Sequence, residues 1–448
     1  MSLKFLALPL FVFLALFTSC TSSQKSAPHP EVVVGPEKQL FFDINAKNSA
    51  EVLNRPYVVM VSIDGYRYDY NRLFSPPNLL RLEAEGVSVE GLRPPYPSKT
   101  FPSHYSIATG LSAGRHGIVS NEFYDPALDA SYALSDRKAV ENPVWYFGEP
   151  LWATAAQQGM LSASFFWIGS EAPVGGRHPN YFYRYDASIP HETRVNQVLE
   201  WLNLPPERRP HLITLYFDAV DTAGHRYGVN SPQTREAVME VDRMIGRLRE
   251  GIEATGLPVN LIVLSDHGMA DVSAKKVIIA DESPEAARIL KKFKAVGRGP
   301  QMQLYLKEGE PLSTIDEAQR ILKKRLKHAR VFKRSEMEKH QYAATPRAGD
   351  LIIDADLPYL VGLRNYRPYV TGGNHGWDPM KYPEMWGVFY AIGPQFKERF
   401  KLPVIDNIHV YPLILRILGL KQRVPVDGRL EPMYPALREA EDLMASSR

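Results

Sequence analysis

Tyr57-Val-Val-Met-Val-Ser-Ile63, closed at once by Asp64-Gly65, is the stretch on which the fold turns. A nearly unbroken apolar run of strand length, without polar alternation, is the pattern of a parallel strand covered on both faces. Further along, residues 76–85 read as a helix with Pro near its start and Gly86 at its end. Residues 101–109 read as a second helix opened by Pro102, which puts Thr100 at or near a helix N-terminus. The alternation continues with helices at 151–158, 192–202 and 233–250 and strands at 162–167, 212–217 and 259–264. Strands alternating with helices predict an α/β fold: a central, mostly parallel sheet flanked by helices, with ligands bound beyond the carboxyl ends of the strands. Asp64, Asp221 and Asp266 all fall just past such ends.

From residue 276 to about 356 the texture changes to short strands near 277–280, 303–306 and 351–353, mixed with Lys-rich helices at 285–293 and 315–327. This segment reads as an inserted smaller α+β subdomain. It divides the catalytic core into a first part, 55–275, and a second part, 357–448, which carries a strand at 385–392 and a closing helix at 407–418. At the other end, Lys4 precedes an apolar run from Phe5 to Phe17 and then Thr18-Ser19-Cys20. The run is too short to span a bilayer comfortably and has the layout of a secretory signal over 1–19. Cys20 is the sole cysteine, which excludes an intramolecular disulfide. Its position resembles the lipid-modified cysteine of bacterial lipoproteins, implying an exported, membrane-anchored chain in the periplasm or on the cell surface. Residues 20–54, polar and rich in Ser and Pro at their start, read as a tether.

The 448 residues carry a formal net charge of +3, with the basic residues scattered rather than striped, so there is no nucleic-acid footprint. Four segments instead concentrate metal-type ligands: Asp64, Asp221-Thr-Ala-Gly-His225, Ser265-Asp-His-Gly268 and Gly373-Asn-His-Gly376. Carboxylates and imidazoles without cysteine suit Zn²⁺. They divide into Asp64, Asp266 and His267, with the Thr100 oxygen as a fourth ligand, and Asp221, His225 and His375, with a position left open. Two divalent ions about 4 Å apart clamp the attacking and leaving oxygens of a displacement at phosphorus. A threonine hydroxyl holds its proton tightly, and metal coordination and a helix N-terminus both ease its removal. Singly, each of these residues is more often a cap or turn; together they make a site.

Thr100-Phe-Pro-Ser-His-Tyr-Ser-Ile-Ala-Thr-Gly-Leu111, His116-Gly-Ile-Val-Ser-Asn121, Asp221 to His225, Ser265-Asp-His-Gly-Met269 and His375-Gly-Trp-Asp378 resemble the nucleotide pyrophosphatase/phosphodiesterase family of the alkaline phosphatase superfamily. The resemblance runs from about residue 57 to 420. It implies an alkaline-phosphatase-like sheet, two Zn²⁺ ions, Thr100 as nucleophile, and Asn121 supporting a phosphate oxygen. It implies the two ligand sets given above, and Phe101, Tyr185 and Tyr216 flanking a nucleotide base. Departures are Ser103 in place of Asn, Ala219-Val220 in place of an acidic residue and Pro, and Trp377-Asp-Pro379 in place of Tyr-Asp-Asn. The implied substrate is a small-molecule phosphodiester or nucleotide, cleaved through a phosphothreonine to a nucleoside 5′-monophosphate. Phosphomonoesters, with Lys99 or Arg177 over the extra charge, lysophospholipid or choline-phosphate diesters, and a degenerate binding lipoprotein are the competing readings. Gly110-Leu-Ser-Ala-Gly114 matches the nucleophile-elbow pattern but follows a helix instead of a strand, and reads as a turn.

Overall fold

The computed structural model describes residues 32–35, 38–366 and 372–438. Residues 1–19, read as a signal, and Cys20 lie outside the described residues. Tyr57–Ile63 is a strand buried along its whole length. It pairs in parallel with Leu212–Phe217 on one side and Val259–Leu264 on the other. Ser162–Phe165 and Tyr181–Tyr183 extend the parallel run beyond Leu212–Phe217. Among the described residues ten strands form the sheet, which turns antiparallel at Phe389–Ile392, next to Val259–Leu264. Register decides the site: Ile63 lies opposite Phe217, and Ser62 opposite Leu264. Three chains therefore leave the sheet at one edge, carrying Asp64, Asp218 and Ser265.

Helices cover both faces because the strands are apolar on both. The longest among the described residues, Pro232–Thr255, starts on Ser231, whose hydroxyl accepts the Thr234 N–H, and stops at Gly256 in the left-handed conformation. Its buried Asp242 caps a neighbour: the carboxylate accepts the N–H groups of Asn78 and Leu79 at the start of Pro77–Glu85, a helix with no side-chain cap of its own. The segment after residue 276 has its own four-stranded sheet, Phe293–Val296, Gln301–Leu306, Leu351–Ala355 and Ala329–Lys333 in spatial order, all antiparallel. Its helices Pro284–Leu290 and Ser313–Arg325 pack on that sheet in a separate apolar cluster. Buried Arg347 ties it to the rest through Asp125 and the carbonyls of Gly117 and Trp145.

Several elements differ from expectation. Val32–Val34 and Leu40–Phe42, inside the stretch read as tether, are strands of the main sheet, the first at its edge and the second between it and Tyr181–Tyr183. Three-residue apolar strands are too short to show a period, and the polar surroundings dominate the composition. Residues 219–227, for which no helix was assigned from the sequence, form one, and Asp221 sits in its first turn. The expected helix at 285–293 ends at Leu290, and Phe293 opens a strand.

Candidate active site

Thr100 is the first residue of the helix Thr100–Thr109, after Lys99 in extended conformation. Its Oγ1 lies 3.2 Å from His267 Nε2. The same nitrogen lies 3.3 Å from Asp64 Oδ1 and 3.0 Å from Asp266 Oδ2. Asp64 and the Ser265-Asp266-His267 turn reach this point from the adjacent strand ends described above. Gly65 permits the turn: at φ +68 a Cβ there would come within 2.9 Å of the Asp221 backbone. Its N–H donates to Asp266 Oδ1 at 3.2 Å.

The second set assembles from the helix Ala219–Tyr227 and the returning loop at 373–376. Asp221 and His225 are one turn apart, with His225 Nε2 3.5 Å from Asp221 Oδ1. His375 Nε2 lies 3.1 Å from His225 Nε2 and 3.7 Å from Asp221 Oδ1. His267 stands between the sets, its ring stacked on that of His375 at 3.6 Å. Its ligand atom also falls within 4.8 Å of those of Asp221 and His375.

Three observations fit these side chains to divalent cations. Nδ1 of His225, His267 and His375 lies 2.9, 2.9 and 2.8 Å from the carbonyls of Gly373, Gly268 and Ser98. A carbonyl only accepts, so Nδ1 carries the proton and each Nε2 lone pair points into the site, as in a metal-ligating histidine. One oxygen each of Asp64, Asp221 and Asp266 is buried without a hydrogen-bond partner, and these are the oxygens facing the imidazoles. Lone pairs converging in a buried space repel unless a cation sits among them. The electrostatics say the same: burial, then the charges of Asp266 and Asp221, hold the Asp64 carboxyl well above its usual range. Burial opposes charge on His267 as well, but the Asp266 carboxylate outweighs it and raises the imidazole. For Asp266 itself burial is outweighed by His267 and His104, which hold it low. Without an ion, a proton does the neutralising. Burial and the neighbouring His267 and His225 push His375 down, keeping its Nε2 available as a ligand.

A cavity of about 290 Å³ opens on this cluster, lined by Asp64, Thr100, Asp221, His225 and His375 at its floor and by Phe101, Phe166, Tyr185 and Tyr216 on its walls. All the substrate-side residues singled out in the sequence therefore meet here. Asn121 accepts the Phe101 N–H on Oδ1 at 3.0 Å, which leaves its Nδ2 donor for a ligand. Tyr216 has a second contact that the sequence did not announce: its hydroxyl donates to Asp64 Oδ2 at 2.5 Å, bracing a candidate metal ligand. Tyr185 donates to Asp218, which buried Arg194 holds from behind at 3.0 Å. Residues missed in the sequence are Arg137 and Glu171, which pair directly in the cavity wall. They are far apart in the chain, and an isolated Arg or Glu carries no pattern. Of the cations considered for a phosphomonoester, Lys99 lines a second cavity beside the first, and burial lowers its ammonium to about 8. Arg177 lines neither. Ser112, in the elbow-like motif, precedes a one-turn helix and takes no part in the site.

Residues 58–378 match the family model for type I phosphodiesterase / nucleotide pyrophosphatase. The chain belongs to that family. It is 34% identical over 394 residues to human ectonucleotide pyrophosphatase/phosphodiesterase family member 1, covering 84% of this chain and 41% of that protein. It is 34% identical over 381 residues to the venom phosphodiesterase CdcPDE of Crotalus durissus collilineatus, covering 83% of this chain and 45% of the relative. The chain thus spans less than half the length of these phosphodiesterase-family relatives. Among solved structures, murine ectonucleotide pyrophosphatase / phosphodiesterase 5 superposes with a TM-score of 0.78 at 29% identity, covering 85% of this chain and all of that one. An inactive form of the same murine protein, solved in complex with AMP, gives the same TM-score over 86% of this chain. The α/β architecture expected from the sequence is the fold of this family.

Proposed function

We propose that the protein is an exported di-zinc phosphodiesterase that cleaves nucleotide phosphodiester or pyrophosphate bonds to nucleoside 5′-monophosphates. One observation carries the reading: the Thr100 hydroxyl, at a helix start, lies inside a cluster of buried carboxylate and imidazole ligands on the floor of an aromatic-walled cavity. Asp64, Asp266 and His267, with Thr100, would hold one ion, and Asp221, His225 and His375 the other. Bound zinc supplies Lewis acidity, easing loss of the threonine proton and neutralising phosphate charge.

The protein's own groups do the rest. Asn121 Nδ2 donates to a non-bridging oxygen, and Phe101, Tyr185 and Tyr216 hold the base by ring contacts. Thr100 Oγ1 attacks phosphorus and the bond to the leaving group breaks in line, giving a phosphothreonine. Water then attacks the same phosphorus and restores the hydroxyl; two in-line steps give net retention of configuration. The test compares bis(4-nitrophenyl) phosphate with 4-nitrophenyl phosphate, alongside metal analysis by mass spectrometry. Preference for the diester and two bound zinc ions per chain are expected; a strong preference for the monoester, or no bound metal, refutes the reading. Export with a lipid on Cys20 is part of the proposal, and incorporation of labelled palmitate that disappears in Cys20→Ala is its check.

A further inference from the structure

The four-stranded sheet after residue 276 has two unlike faces. Met302, Ile353 and Val331, paired across three of its strands, enter the segment's own apolar cluster. Their chain neighbours Gln301, Asp354 and Arg330 are paired in the same way, Gln301 opposite Asp354 and Asp354 opposite Arg330. Side chains alternate along a strand, so these three form a polar row on the opposite face. That face turns inward: Ile352, which shares it, belongs to the main apolar core. Gln301 and Asp354 are 2% and 1% exposed, and Arg330 is partly exposed. Buried polar groups need partners, and where this row finds them is informative.

Each partner stands a few residues from a side chain of the site. Asp354 Oδ1 accepts the hydroxyl of Tyr96, on the chain leading to Thr100, at 3.1 Å. Its Oδ2 accepts from Arg330 Nη2 at 2.5 Å, and the same nitrogen lies 3.6 Å from Oδ2 of Asp378, on the chain leaving His375. His340 Nε2 lies 3.6 Å from that Asp378 oxygen. Gln301 donates to the Tyr342 hydroxyl, which donates to the carbonyl of Val119, just before Asn121. Ser98 joins the first two segments to each other: its hydroxyl donates to the Trp377 carbonyl, and its own carbonyl accepts from His375 Nδ1. One row on one sheet therefore holds the segments that carry Thr100, Asn121 and His375 in a common frame.

Stability is a poor explanation for the row. Burial raises the Asp354 carboxyl to about 6, with Arg330 opposing the shift and Asp378 adding to it. A buried ion pair is often matched by apolar side chains of similar volume, which lack its fixed direction. Direction is what a reacting site needs, because misplacement by about 1 Å can cost roughly a hundredfold in rate.

We propose that Arg330 and Asp354 are positioning residues for the hydrolysis: acting through Tyr96 and Asp378, they set where Thr100 and His375 stand. Neither lines either cavity at the site, so neither touches substrate. The proposal rests on the reading of Thr100 as nucleophile given above.

The test measures hydrolysis of bis(4-nitrophenyl) phosphate by the purified full chain, and its zinc affinity by competition with a chromophoric chelator. Arg330→Met should lower kcat by about tenfold or more while KM stays within about twofold, since a displaced nucleophile leaves ground-state binding intact. Arg330→Lys, which keeps the charge, should recover most of that loss. Affinity for the more weakly held zinc should fall about tenfold in Arg330→Met and much less in Arg330→Lys. Tyr96→Phe removes only the hydroxyl on Asp354 and should lower kcat about threefold alone but no further when combined with Arg330→Met, because both act through one carboxylate. Should Arg330→Met fail to fold by circular dichroism, the kcat of Tyr96→Phe decides alone. Unchanged kcat, additive losses, or a loss confined to KM overturns the positioning role. Absence of diester hydrolysis by the unaltered chain overturns the phosphodiesterase reading instead, and the chelator competition then decides whether Arg330 positions His375.

Discussion

The two ligand sets are built from the same chemistry but differ in enclosure. Asp64, Asp266 and His267 are 2%, 0% and 0% exposed and hang from adjacent buried strands. Asp221 and His225 keep side-chain exposures of 17% and 34%, on a short helix and facing a loop. Enclosure sets what each corner can do. The closed one, fixed by the sheet register, holds Thr100, the proposed nucleophile, where small displacements are costly. The open one, through His225 and His375, lines both cavities.

The sharpest way to break this comparison is Thr100→Ala. It should lower kcat/KM by about 10⁴-fold or more, as loss of a covalent nucleophile does, while both corners keep their metal by mass spectrometry. Next, the corners should respond differently to ligand loss. Asp266→Ala leaves His267 and His104 without their buried partner and should cost about 3 kcal/mol in urea unfolding. His225→Ala, at the open corner, should cost less than about 1 kcal/mol while releasing its ion. Equal costs would sink the distinction between the corners.

Chelation tests the electrostatics of the closed corner. In the ion-free protein the Asp64 carboxyl is raised above its unfolded value, by burial first and by Asp266 and Asp221 next. A raised carboxyl favours folding below the unfolded pKa, and that contribution is lost as pH rises through the folded pKa. The difference in Tm between loaded and chelated protein should therefore widen from acidic to neutral pH; a constant difference would contradict it. Tyr216→Phe removes the hydroxyl that braces Asp64 and should weaken metal affinity by about 10–100-fold, read by competition with a chromophoric chelator. Smallest, Phe101→Ala should raise KM for a nucleotide diester by about tenfold with little change in kcat, because stacking acts on ground and transition states alike.

Legibility followed length and pattern. The strands at 57–63, 212–217 and 259–264 and the helix at 232–255 were readable because each is long enough for its burial to show as periodicity or as an unbroken apolar run. Val87–Val89, Tyr181–Tyr183 and Phe400–Leu402 were not, since three residues carry no period and their pairing is decided by distant partners. Motifs behaved in the same way. Asp266-His267 and Asp221 to His225 could be found because ligands close in sequence have a fixed spacing. Arg137 and Glu171, and Asp242 beneath the helix at 77–85, meet only through the fold.

By itself the sequence determined the type of sheet, the family and the candidate residues for binding metal and attacking phosphorus, because those properties reside in side-chain chemistry and short-range order. Only the tertiary structure decided that Tyr216 serves Asp64 as well as the cavity, that one ligand corner is closed and the other open, and that two unlike cavities meet at the reactive point. Those are relations between segments as much as 311 residues apart, such as Asp64 and His375, and strand register and helix packing, not local preference, set their distances.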